Sequence, residues 1–103
     1  MKFMKILTKT SEKQIEQRLV KKVKEAGGLA LKFVSPGFAG VPDRIVFMPD
    51  GRVWLVECKA PGEYPRTLQQ KRFAMFERMG HVVAVVDSYE SVDAFVGVMR
   101  GDD

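Results

Sequence analysis

Three residues could together carry out hydrolysis: Asp43, which follows Pro42, and Glu57 and Lys59, two apart at the end of an apolar run. Side chains alternate along a strand, so Val53, Leu55, Glu57 and Lys59 share one face while Trp54, Val56 and Cys58 take the other. A glutamate that ends a Val-Trp-Leu-Val run is costly to desolvate unless it is paired or meets a cation. With Asp43 on an adjoining strand it forms an all-oxygen site, suited to Mg²⁺ or Mn²⁺ and unsuited to zinc. A lysine beside such an ion can orient and help deprotonate an attacking water, or stabilise charge developing on a phosphate.

Other conspicuous residues fit the chemistry less well. His81, the single histidine, follows Gly80 at a strand entrance and reads as a turn or surface residue. Cys58 points away from Glu57 and Lys59 and reads as a small core residue; alone, it can make neither an internal disulfide nor a multi-cysteine zinc site. Trp54, Phe47 and Phe73 read as core or interface aromatics. The sequence has no phosphate-cradling Gly-rich loop, no CxxC pair and no supported Ser/His/Asp set. Gly37-Phe38-Ala39-Gly40 is too short for a nucleotide loop and is expected to form a mobile rim of the site.

The elements that must position these residues can be read from periodicity. From Ser11 or Glu12 to Ala26, the residues Ile15, Leu19, Val23 and Ala26 form a helical stripe stopped by Gly27-Gly28. Leu29 to Val34 reads as a first strand. Arg44–Met48 and Arg52–Cys58 flank Pro49-Asp50-Gly51, turn chemistry that predicts a tight antiparallel hairpin. After a loop at 60–66, Leu68, Met75, Phe76 and Met79 predict one face of a second helix that ends before Gly80. Val82–Val86 is continuously apolar, as expected of a strand buried on both faces inside the sheet. A last helix follows, capped by Asp87 with Glu90 three residues on, with Val92, Phe95, Val96 and Met99 on its inner face. The order αβββαβα predicts an α/β fold with a mixed sheet of four strands and helices packed against it.

The 103 residues, 46% of them hydrophobic and 29% charged, amount to one domain with one core. No apolar run approaches the roughly 20 residues of a membrane span, and residues 1–7 lack the features of a secretory signal. With the lone cysteine, this favours a reducing cytoplasm. The net charge of +4 is uneven: residues 1–25 hold eight Lys/Arg against three Glu. Arg18, Lys21, Lys22 and Lys24 are therefore candidates to contact or steer nucleic-acid phosphates, the alternative being a solvated helix face.

Taken jointly, Pro42-Asp43, the hairpin and Glu57-Cys58-Lys59 resemble the PD-(D/E)xK nuclease superfamily. Gly40-Val41-Pro42-Asp43-Arg44, Glu57-Cys58-Lys59-Ala60-Pro61-Gly62 and Gln69 are similar to the VRR-NUC family, over about residues 11–97. The resemblance implies a stand-alone domain of the kind found in phages and prophages, with a restriction-endonuclease-like αβββαβ core and a C-terminal helix. It makes Asp43 and Glu57 metal ligands, adds the Cys58 carbonyl as a further ligand, and makes Lys59 the catalytic lysine. It also places Gln69 at the active site, although the neighbouring Gln70 blurs that assignment.

The family carries a glutamate on its first helix, for which Glu12 and Glu16 are candidates. At about 100° per residue Glu16 interrupts the apolar stripe, whereas Glu12 lies a turn earlier at a wetter helix end, so Glu16 is preferred. The function implied is Mg²⁺- or Mn²⁺-dependent cleavage of DNA, with branched or flapped substrates such as Holliday junctions suggested. A non-catalytic junction-binding domain with the same fold is the alternative. An adaptor that used only the basic helix would leave the acids without a purpose. A homodimer is expected, because Phe3, Met4, Ile6, Leu7 and Phe73 lie outside the main stripes and could bury against a partner or cover the monomer's own core.

Overall fold

The computed structural model describes residues 10–101. The expected element order is present: α1 (Glu12–Glu25), β1 (Leu29–Lys32), β2 (Arg44–Phe47), β3 (Val53–Cys58), α2 (Thr67–Arg78), β4 (Val83–Val86) and α3 (Tyr89–Met99). Ser11 caps α1: its hydroxyl accepts the Gln14 N–H at 3.1 Å, and the Gln14 side chain accepts the Ser11 N–H at 2.8 Å. Ile15, Leu19 and Val23 are the buried stripe of this helix. At the turn into β1, a Cβ on Gly28 would lie 2.6 Å from both the Phe47 carbonyl oxygen and the Met48 sulfur, so α1 meets β2 at a distance only glycine allows.

The sheet order is β1-β2-β3-β4, antiparallel across the first two junctions and parallel across the third. Pro49-Asp50-Gly51 makes the β2–β3 hairpin, with Gly51 at φ 89° and the Gly51 N–H donating to the Met48 carbonyl. One sheet face, with Ala30, Val46, Val56, Cys58 and Val86, packs with α1 and α3 into the main core. Trp54 belongs to this layer and meets Phe95 edge-on at 5.3 Å. The opposite face carries Leu29, Leu31, Ile45, Phe47, Val53 and Leu55, and α2 covers only part of it. No helix among the described residues is long and apolar enough to cross a membrane.

Three expectations are corrected and one open alternative is decided. Among the described residues β4 is an edge strand with Val85 42% exposed, because β4 pairs only with β3. In α2 the buried residue is Phe73, while Leu68 and Met79 are exposed; the helix crosses an otherwise open sheet face and has one point of deep contact. Phe73 therefore covers the chain's own core, whereas Phe3, Met4, Ile6 and Leu7 lie outside the described residues. Ser88 rather than Asp87 caps α3, accepting the Ser91 N–H at 2.9 Å.

Candidate active site

The hairpin register brings the acids together. Arg44 lies opposite Val56, which sets the start of β2 beside the end of β3. There the Asp43 N–H donates to Glu57 Oε1 at 3.1 Å, and Asp43 Oδ2 accepts the Cys58 N–H at 2.9 Å. The other Glu57 oxygen accepts from Gln69 Nε2 at 2.8 Å and lies 3.2 Å from Lys59 Nζ. Glu57 is 2% exposed, and both its oxygens are occupied. Burial, then the charge of Asp43, pushes its carboxyl above the usual range, against the pull of Lys59 and Gln69. These groups border an open cleft of about 340 Å³ together with Glu12, Gly40 and Arg66.

The donor set suits a hard cation. Two carboxylates stand beside the end of β3, and the nearby Cys58 side chain is buried in the core on the other face of the sheet, with its thiol pushed up to about 12 by desolvation. Among the described residues no group of three or more His, Cys, Asp or Glu side chains gathers as a closed metal cage. Two carboxylates, a main-chain carbonyl and water are nonetheless what Mg²⁺ accepts, since it keeps several waters.

Gln69 and Gln70 separate cleanly. Gln69 Oε1 accepts the Arg66 N–H at 2.9 Å while its amide nitrogen holds Glu57; Gln70 donates to the Pro65 carbonyl instead. The first-helix acids divide: Glu12 borders the cleft, whereas Glu16, the one preferred from the helical angles, pairs with Arg44 at 3.0 Å. Glu16 does interrupt the apolar stripe, but the group waiting beside it is a guanidinium from β2, which also donates to the Ala30 carbonyl at 3.0 Å.

One cleft residue, Arg66, and one residue that holds the rim of the cleft, Arg72, escaped sequence reasoning. Arg66 borders the cleft at the start of α2. Arg72 donates to the Ala39 carbonyl at 2.9 Å and lies 3.9 Å over the Phe38 ring, which ties the 37–40 rim to α2. Its spacing of three from Gln69 on one helix face was the available signal. The four candidate phosphate-contacting cations divide. Arg18 makes a two-pronged pair with Asp93 at 2.9 and 2.7 Å and faces Tyr89, and Lys22 lies 3.5 Å from Glu25. Lys21 and Lys24 instead border a second cleft on the other flank of α1.

No family model matches the chain. It is 51% identical over 79 residues to "Putative nuclease p44" of Acyrthosiphon pisum secondary endosymbiont phage 1, covering 77% of this chain and 85% of that protein. Among solved structures it is similar to a "VRR_NUC domain" at 28% identity and a TM-score of 0.79, covering 84% of this chain and 96% of that one. A "VRR_NUC domain protein" shares the fold at 16% identity and a TM-score of 0.70, covering 92% and 93% of the two chains.

Proposed function

The chain belongs to the VRR-NUC family of nucleases, and from that premise we propose that it hydrolyses DNA phosphodiesters with Mg²⁺ or Mn²⁺ at the cleft between Asp43, Glu57 and Lys59. The observation that carries this reading is a buried carboxylate, Glu57, set against a second carboxylate and met by Lys59 and Gln69. Asp43, Glu57 and the Cys58 carbonyl would hold the ion, with Glu12 bordering the same space. Bound there, it supplies charge neutralisation at the phosphate and a water of lowered pKa. Lys59 Nζ is the protein's own cation for the attacking water or the growing phosphate charge. Gln69 is a positioning residue: with both ends of its amide engaged, it fixes the Glu57 carboxylate.

The finer reading is a cytoplasmic homodimer, of the phage-encoded type, that cuts branched or flapped DNA. Support for the dimer comes from the sheet face α2 leaves open, where Leu29 and Phe47 are 57% and 42% exposed. This apolar patch would be removed from water against a copy of the chain. A binding-only domain is the alternative, but it has no use for a buried glutamate set beside a second carboxylate.

The test incubates the pure protein with linear, flap and four-way DNAs, with and without Mg²⁺ or Mn²⁺, while sedimentation compares wild type with Phe47→Glu. Ion-dependent cleavage, and a dimer that Phe47→Glu converts to monomer, are expected. Binding without cleavage under every condition would select the alternative, and a wild-type monomer that cuts four-way junctions symmetrically would remove the dimer.

A further inference from the structure

On the flank of α1 away from α3 lies an open cleft of about 570 Å³, bordered by α1, Lys32 of β1 and Arg44 of β2. Its cations are Lys13, Lys21, Lys24, Lys32 and Arg44, against a single carboxylate, Glu16. Glu16 is already neutralised by Arg44 at 3.0 Å. The four lysines have no ion pair among the described residues, unlike Lys22 and Arg18 on the opposite flank. Positions 13, 17, 20, 21 and 24 fall on one helical stripe, so this flank is a continuous row of cations interrupted only by Gln17 and Val20.

A groove with four lysines free of ion pairs among the described residues, one acid already held by Arg44 and almost no hydrogen-bonding group able to read a base is suited to a phosphate backbone and not to a sequence. Its position relative to the acids is also informative. Glu12 borders the acid cleft, and one residue later Lys13 borders the basic one, while Asp43 and Arg44 divide in the same way. The two clefts are thus lined by chain neighbours that point in different directions, Arg44 toward α1 and Asp43 toward Glu57 and Cys58. From Glu12 to Lys24 the helix runs about 18 Å at 1.5 Å per residue, which matches about five phosphates of one strand at 3.4 Å each.

We infer that this lysine-lined cleft is a second substrate-binding surface, which grips about five phosphates of the backbone of duplex DNA apart from the acid cleft. The inference rests on the nuclease reading for its substrate, but it is measured without catalysis.

The experiment reads binding of a fluorescein-labelled 20-base-pair duplex by anisotropy in EDTA, across a series of salt concentrations. Lys21→Gln with Lys24→Gln should reduce the slope of log affinity against log salt by about 2, since each phosphate contact contributes about 0.9. Arg18→Gln with Lys22→Gln removes the same charge from the other flank and should leave the slope near that of wild type. An unchanged slope in the first double variant, or an equal fall in both, overturns the inference, the second result because net charge alone would explain it. An acidic protein partner for this cleft predicts the unchanged slope. If wild type binds with the expected slopes and never cleaves, the nuclease reading fails and the cleft stands.

Discussion

Asp43 does two jobs that two substitutions can separate. Its carboxylate borders the cleft beside Glu57, and the same carboxylate accepts the N–H of Cys58, a residue only 1% exposed. Asp43→Ala leaves that amide without a partner, a loss of about 1–3 kcal/mol. For a domain of this size each kcal/mol moves the melting temperature by about 4–8 °C, so a fall of roughly 5–20 °C is expected. Asp43→Asn keeps an oxygen for the amide and removes the negative charge that pushes the Glu57 carboxyl upward, so it should melt close to wild type. Both variants lack the anionic ligand and should cleave at least about a hundredfold more slowly in Mg²⁺. Differential scanning calorimetry and a fluorescent-DNA cleavage assay on the same preparations read the two effects. Equal melting temperatures for Asn and Ala would refute the structural role, and wild-type cleavage by Asp43→Asn would refute the ligand role.

Gln69→Ala frees the Glu57 carboxylate from its amide donor, worth about 1.5–3 kcal/mol for a bond to a charged group. Cleavage should slow by roughly 10-fold or more, whereas Gln70→Ala, whose amide serves the Pro65 carbonyl, should cleave at the wild-type rate. Gly28→Ala drives a methyl to 2.6 Å from the Phe47 carbonyl oxygen, and the urea midpoint should reveal a loss of about 1–3 kcal/mol. Hydrogen bonding from Arg18 holds the Asp93 carboxyl below its ordinary value of 3.8, so the pair's contribution is present above that pH and is lost as pH falls through the lower folded value. Denaturant melts should therefore show wild type ahead of Asp93→Asn at neutral pH and level with it at strongly acid pH.

Local signals are enough to read the order of elements in this chain. The Ile15, Leu19, Val23 stripe, the Gly27-Gly28 stop and Pro49-Asp50-Gly51 each act over a few residues, and each is realised as expected. The core of the candidate site was equally legible, because alternation along one strand aims Glu57 and Lys59 to one side and a short hairpin leaves Asp43 nowhere else to go.

Tertiary structure decided what depends on a group from elsewhere in the chain. An apolar run such as Val82–Val86 signals a strand, but which of its faces is covered depends on α2, and Val85 remains exposed. Helical angles placed Glu16 correctly on α1 and could not announce Arg44, which came from β2 to neutralise it and left Glu12 as the first-helix acid at the cleft. The same holds for charge: α1 is basic in its sequence, yet Asp93 of α3 takes Arg18 while Lys32 of β1 adds to Lys21 and Lys24. Periodicity fixes a residue's direction on its own element; the partner at the end of that direction is set by chain packing across long sequence separations.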